Sequence, residues 1–316
     1  MSIKLGIGLA VWPFAENEPE QFFDYLTRAE AAGVDSLWLS ERLTSPAPML
    51  EPMTALAMAA ARTRTMKFGM SVMVLPARNP VILARVIATA DFLCGGRMLP
   101  AFGLGLEDPR EQEAAGIPRA ERAGRVDEAV RLMRRLWSED EVTHHGRYYQ
   151  VSGATVRPRP KQREMPVWFG GRTDPALRRV GTIGDGWLAS AVTPEEVAEA
   201  IPRIQAHATA AGRSIDADHY GVIIPYWITS ESANEAALAR VAPGMRRLRP
   251  DTDPATYAAV GDAARCRDVV RRFIEAGASK FVMRPVCPPD EIVTQLDRLA
   301  EDVLPAFHKA PAGAMR

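Results

Sequence analysis

Residues 167–173 read Val-Trp-Phe-Gly-Gly-Arg-Thr, a short apolar run that stops at two glycines with a basic and a hydroxyl side chain directly behind. Gly170 and Gly171 have no side chain to obstruct a ligand, and a helix-like segment begins at once after them. A helix start offers backbone N–H groups without intrahelical acceptors and a partial positive charge. Strand, glycine turn and helix start together can hold a phosphate. Arg172 and Thr173 add a charge and a hydroxyl suited to a phosphate oxygen. The same glycines also suit a tight strand-to-helix turn that needs their backbone angles. Taken alone, the motif leaves both readings open.

Other catalytic equipment is sparse. No Gly-x-Ser-x-Gly occurs, so a nucleophile elbow is not expected. Cys94, Cys266 and Cys287 are far apart and form no CxxC pair, which argues against zinc and disulfides and fits a reducing cytoplasm. Lys plus Arg equals Asp plus Glu at 39 each, so nothing points to nucleic acid or an anionic membrane. No apolar stretch is long enough to span a bilayer, and Leu5–Val11 reads as a strand rather than a signal peptide.

The elements that must position the turn alternate regularly. Apolar runs at 3–11, 36–39, 67–75, 98–102, 167–169, 186–189, 220–228 and 280–283 are strand candidates, nearly all apolar as parallel strands buried on both faces must be. Helices are expected between them. Phe22, Phe23, Leu26 and Ala29 share one face before Gly33, and Pro80 opens a helix that Gly95-Gly96 closes. Ala123, Val126, Val130, Met133 and Trp137 form a stripe, Pro194–Ala210 reads as helical, Asp262 caps a further helix, and Ile292 to Phe307 closes the chain. Eight such units predict an α/β chain folded as a single (β/α)8 TIM barrel over 1–316, with insertions near 138–166 and 229–261. An open doubly wound sheet competes, but no Gly-x-Gly-x-x-Gly follows the first strand. The last residues, Ala310–Arg316, read as a low-complexity tail.

In a barrel, function sits at the carboxyl ends of the strands. There the sequence places Trp12 and Phe14, Glu41-Arg42, Ser71-Val72, Gly103 to Asp108, the Gly170-Gly171 turn, Ser190, Ser230 and Arg284. No histidine, paired cysteine or carboxylate cluster follows a strand, so no metal is expected. A phosphate turn with apolar walls and little acid–base equipment suits a bound cofactor that carries the chemistry itself.

Longer motifs become specific together. They are Leu75-Pro-Ala-Arg-Asn-Pro80, Ala88-Thr-Ala-Asp91 with Gly95-Gly96-Arg97, Phe102-Gly-Leu-Gly105, the helix 122–137, Gly146-Arg-Tyr-Tyr149, and Trp168-Phe-Gly-Gly171 with Gly184-Asp-Gly-Trp187. In order and spacing, from residue 3 to about 305, the chain resembles the luciferase-like monooxygenase superfamily. It looks most like the branch of oxidoreductases dependent on the deazaflavin coenzyme F420, and less like the FMN-using branch.

The resemblance implies a bacterial luciferase-like barrel, a flavin-type ring over the strand ends and its phosphate at the fifth. It also implies a non-proline cis peptide at Ser71-Val72, forming a bulge behind the ring. Gly103 and Gly105 would let the cofactor approach backbone closely. Glu41 would touch the ring, with Arg42 near the reacting centre where relatives often carry histidine. That departure argues against an alcohol or sugar-phosphate dehydrogenase, since a histidine base is missing. A rim ion pair is the plainer account of Arg42. Glu107 would donate a proton, although its charged neighbours also make it a solvated surface residue. Trp12 and Phe14 would wall the substrate side, and Trp187 suits core packing. Arg178 and Arg179 read as solvated, Cys94 and Cys266 as buried small side chains. His144-His145 reads as a loop pair, and His207, His219 and His308 call for no functional account.

The expected function is hydride transfer between coenzyme F420 and a small organic substrate, in a cytoplasmic homodimer packed through the helices after strands two and three. A separate cofactor-reducing enzyme could serve it. Alternatives are an FMN-dependent two-component monooxygenase, a flavin-binding protein without turnover, and a cofactor-free lyase acting on a phosphorylated substrate.

Overall fold

The computed structural model describes residues 3–15 and 17–307. His308 and the tail 310–316 lie outside the described residues. The barrel strands are β1 (Lys4–Leu9), β2 (Ser36–Leu39), β3 (Lys67–Met70 and Met73–Val74), β4 (Met98–Leu99 and Ala101–Gly103), β5 (Trp168–Phe169), β6 (Gly186–Ser190), β7 (Tyr220–Ile228) and β8 (Lys280–Pro285). All pair in parallel with their sequence neighbours, and β8 pairs with β1 through Lys4↔Lys280 to Ile7↔Met283.

The ring closes between β3 and β4, and it does so in two steps. Phe68 pairs with Met98 below, and Met73 pairs with Phe102 above. Between these steps lie the cis peptide Ser71-Val72 on one strand and Pro100 on the other. Proline has no N–H to give a ladder, yet its carbonyl still accepts from Trp168 N at 2.9 Å and so joins β4 to β5. The result is a closed (β/α)8 barrel.

Helices α1 (Glu20–Ala31), α2 (Pro52–Arg62), α3 (Pro80–Cys94), α4 (Arg119–Ser138), α5 (Asp174–Ile183), α6 (Pro194–Ala210), α7 (Ala263–Glu275) and α8 (Ile292–Arg298) cover the outside. Their ends follow local chemistry. Asn79 accepts from Val81 N and Ile82 N to start α3, and Gly95, at φ 78°, ends it in the left-handed region that glycine tolerates. Asp262 caps α7 by accepting from Arg265 N at 2.8 Å. The closing helix is interrupted rather than continuous. It loosens to a π turn at Leu299–Val303 and a 3-10 turn at Leu304–Ala306, where Pro305 removes a donor.

Trp38, Leu99, Ala101, Trp168, Leu188, Ile223 and Val282 form a buried cluster of their own inside the ring, with Trp38 edge-on to Trp168. This cluster packs the lumen below the carboxyl ends of the strands.

The two insertions differ. Residues 142–154 form the expected hairpin, Val142–His145 antiparallel to Gln150–Ala154. The second contains a helix, Asn234–Leu248, that runs through Pro243-Gly244. Ala237, Ala242 and Met245 bury one face of it, which outweighs the proline. A short strand, Ala259–Gly261, then lies beside the end of β7.

Candidate active site

A cavity of about 860 Å³ opens at the carboxyl ends of the strands. Its lining brings together Glu41, Arg42, Ser71, Val72, Gly103, Gly105, Glu107, Gly170, Gly171, Arg172 and Thr173, contributed by β2, β3, β4 and β5 and the loops that follow them. Apolar walls come from Val74, Phe102, Leu104, Val126 and Phe169, with Leu248 of the second insertion above. A second large cavity, of about 680 Å³, lies at the amino ends, among Arg134, Asp185, Asp216 and His219. Among the described residues the one group spaced to hold a metal, Asp216, Asp218 and His219, sits at that opposite end with both carboxylates exposed. No histidine or cysteine is among the residues lining the upper cavity.

The turn after β5 leaves several backbone donors free. Gly170 N is spent on the sheet, donating to Phe102 O at 3.1 Å. Beyond it, the N–H groups of Gly171, Arg172, Thr173 and Asp174 have no acceptor among the described residues, and the Thr173 hydroxyl does not cap α5. Consecutive free N–H groups at a helix start form an anion nest. Asp174 would repel an anion there, but its carboxylate is drawn into a pair with Arg203. Gly171 has φ +99° and lets the chain turn sharply onto α5. Trp187 is buried and braces the turn by donating Nε1 to Gly171 O at 2.7 Å.

The floor is set by Val72, which follows the cis peptide. A Cβ on Gly103 would lie 2.5 Å from Val72 Cγ2, and one on Gly170 would lie 3.2 Å from Val72 Cγ1. Gly105, at φ +83°, would place a Cβ 2.9 Å from Val74 Cγ1. These glycines therefore make room for two valines, and the valines present the apolar surface on which a flat ring could rest.

Glu41 is almost fully buried and is used twice. Oε2 accepts from Val74 N at 2.6 Å, and Oε1 pairs with Arg78, which also reaches Glu51 at 2.9 Å. It thus ties the end of β2 to the segment just past the bulge. Arg42 pairs with Asp108 and Glu111, each at 3.1 Å. The Arg110 N–H, with Arg42 adding to it, holds the Asp108 carboxyl below its usual range. Glu107 is 68 % exposed and paired with Arg119 at the rim. Arg179, expected in solvent, is only 10 % exposed, lines the cavity and pairs with Asp127 at 2.5 Å.

Trp12 and Phe14 stand apart from the cavity lining. Phe14 is buried and packs edge-on against Trp12 and Tyr25, and Trp12 stacks toward Phe22 of α1. They tie the β1 loop to α1, because the chain turns outward at Pro13 instead of continuing over the strand ends.

One residue of weight was read only as the end of β8. Arg284 lines the cavity and donates Nη2 to Ser40 Oγ at 2.8 Å and to Ser71 Oγ at 3.2 Å. Its Nε is buried without an acceptor, and no carboxylate among the described residues pairs with it. Burial lowers its pKa to about 10. A charged residue directly after the apolar run Phe281–Met283, at the carboxyl end of the strand, was the available signal.

Comparison with known proteins adds the following. The family described as luciferase-like monooxygenase matches residues 1–280. An F420-dependent glucose-6-phosphate dehydrogenase of Kineococcus radiotolerans is 32% identical over 198 residues, 60% of this chain and a little over half (56%) of the relative's length. The enzyme of the same description from Mycolicibacterium smegmatis is 30% identical over 295 residues, 87% of this chain and 84% of its own. Among solved structures, an F420-dependent secondary alcohol dehydrogenase in complex with an F420–acetone adduct superposes with a TM-score of 0.84 at 21% identity, over 98% of this chain and 100% of the other. That likeness concerns the fold. Among the described residues, no helix is long and apolar enough to cross a membrane.

Proposed function

This chain belongs to the luciferase-like monooxygenase family, and we propose that it is an oxidoreductase that moves a hydride between coenzyme F420 and a small organic substrate held in the upper cavity. The observation that carries the reading is the row of free N–H groups from Gly171 to Asp174 beside a flat valine floor. One end of the cavity thus suits a phosphate and the other a planar ring. The names of the relatives supply the choice of deazaflavin.

When bound, the deazaflavin supplies the two-electron chemistry. The chain's residues hold it and shape what meets it. Gly171, Arg172 and Thr173 would hold the phosphate, Val72 and Val74 would support the ring, and Glu41 would fix the bulge that presents them. The lining offers no histidine base for the oxidation of a sugar phosphate. The position where a histidine base would stand is Arg42, and its guanidinium is already engaged by two carboxylates.

We extend the proposal to a homodimer and a cytoplasmic location, served by a separate enzyme that reduces the cofactor. Met58 on α2 and Ile82, Val86, Phe92 and Leu93 on α3 are exposed hydrophobics on neighbouring helices, a patch that a second copy would cover. Three unpaired cysteines suit a reducing compartment.

Difference-spectral titration with coenzyme F420 and with FMN tests the reading. Saturable binding of F420 in the micromolar range or tighter is expected. Tight FMN binding without F420 binding would establish the monooxygenase alternative instead. Binding without oxidation or reduction of any compound in a broad substrate panel would leave a flavin-binding protein, and binding of neither cofactor would leave the lyase.

A further inference from the structure

Besides Arg172 at the turn after β5, Arg284 is the cavity arginine with no carboxylate partner among the described residues. Arg42 and Arg179 have carboxylate partners, whereas Arg284 has only two hydroxyls, and its Nε is buried without an acceptor. The fold takes trouble to put it there. Arg284 stands on β8 and reaches across β1 to Ser40 after β2 and Ser71 on the bulge of β3. β1 carries Gly8 at that level, where a Cβ would lie 2.6 Å from Val282 Cγ1 and 3.9 Å from Arg284 Cβ. Ser40 Oγ lies 3.2 Å from Ser71 Oγ and can donate to Ser71 O, so the two hydroxyls and the guanidinium converge on one spot.

A guanidinium partly withdrawn from water, its Nε buried, and left without a counter-charge costs the protein stability. Hydroxyls satisfy part of its hydrogen bonding and none of its charge. We propose that Arg284, aimed by Ser40 and Ser71, is an anion-receiving subsite at the floor of the cavity and takes one anionic oxygen of a bound molecule. Two sources present that chemistry. One is a carboxylate on an otherwise apolar substrate. The other is a ring carbonyl of a flavin-type cofactor whose reduced ring carries negative charge. Only the second rests on the function proposed above.

The test is isothermal titration of the full chain and of Arg284→Gln and Arg284→Lys, with benzoate and its neutral isostere benzamide, and with oxidised and chemically reduced coenzyme F420. A substrate subsite predicts that wild type prefers benzoate to benzamide at least ten-fold, that Arg284→Gln loses the preference, and that Arg284→Lys keeps part of it. A ring subsite predicts no benzoate preference, with reduced-coenzyme affinity falling at least ten-fold in Arg284→Gln and oxidised-coenzyme affinity holding. In both cases the ligand-free Arg284→Gln protein melts no lower than wild type, since a buried charge has been removed. Should that variant fail to fold, the double variant Ser40→Ala with Ser71→Ala, which keeps the charge but not its aim, is read the same way. The proposal is overturned if a folded variant matches wild type in both arms, in its preference for benzoate over benzamide and in its affinity for the reduced coenzyme. A wild type that binds no coenzyme overturns the functional reading alone, and the benzoate arm then decides the subsite.

Discussion

Gly170 and Gly171 are adjacent, yet the structure assigns them different costs, and that difference can be measured. Gly171 has φ +99°, and a Cβ there would lie 2.8 Å from Ala176 Cβ on the first turn of α5. Holding an alanine at that φ costs roughly 1–3 kcal/mol, and relieving the overlap by moving the helix start costs about 1–3 kcal/mol more. Gly171→Ala is therefore expected to lose on the order of 2–6 kcal/mol, which for a chain of this size lowers the melting temperature by about 3–9 °C. Gly170 has no positive φ, and its Cβ would meet Val72 Cγ1 at 3.2 Å. That contact asks a few tenths of an ångström of a valine side chain, so Gly170→Ala should cost under about 1 kcal/mol. Its methyl group, however, intrudes where the floor meets the phosphate turn, and cofactor affinity should fall at least ten-fold. Thermal melts and cofactor titrations on both variants decide the matter. A Gly171→Ala protein that melts within a degree of wild type, or a Gly170→Ala protein less stable than Gly171→Ala, would refute this account of the turn.

Other perturbations probe the supports. Glu41→Gln keeps an acceptor for Val74 N but removes the charge facing Arg78; a loss of about 1–3 kcal/mol in urea unfolding, with weakened cofactor binding, is expected. Glu128 accepts from the backbone N–H groups of Arg147, Tyr148 and Tyr149 and from His144. Burial opposes its ionisation, but His144 and those N–H groups outweigh burial and hold its folded pKa below the ordinary value. Its stabilisation is then complete above about pH 4.3, the ordinary carboxylate value, and is lost as pH falls through the depressed one. Glu128→Gln should unfold about 1–2 kcal/mol more easily than wild type at pH 7, with the gap narrowing at pH 3.5. Leu93→Glu, at a position 78% exposed on α3, should halve the mass measured by light scattering and leave cofactor binding intact.

The barrel was legible because its strands are buried on both faces, so each reads as an apolar run whatever its register. The turn after β5 was legible because Gly171 is required there by backbone angle, and angle demands leave a mark in sequence. The bulge at Ser71-Val72 rested on resemblance alone, since neither residue type requires a cis bond. Contacts between distant loops were not legible. Nothing local shows that Arg42 meets Asp108 and Glu111, or that Glu41 meets Arg78, because those pairs form only when the ring closes. Trp12 and Phe14 follow a strand and so were read as cavity walls, but an aromatic side chain goes to the largest apolar surface in reach, and α1 offered it.

The pairings also bear on the chemistry. Each charged side chain that the sequence offered as an acid or base is committed: Glu41 to Arg78 and a backbone N–H, Arg42 to two carboxylates, Glu107 to Arg119. A proton taken from any of these groups, or a proton given to it, would break an ion pair that orders the rim. An enzyme arranged this way gains little from general acid–base catalysis by its own side chains and must draw reactivity from what it binds. Two places remain uncommitted among the described residues, the N–H row from Gly171 to Asp174 with the Arg172 side chain beside it, and the guanidinium of Arg284. Both attract negative charge, and they come from strands three places apart around the ring. A molecule satisfying both would span the cavity with an anionic group at each end. If one molecule does so, Gly170→Ala and Arg284→Gln should weaken its binding by more or less than the product of their separate effects, because each change would shift the ligand against the other anchor. If two molecules share the cavity, the effects should multiply. Measuring the two single variants and the double variant with the reduced coenzyme separates these cases.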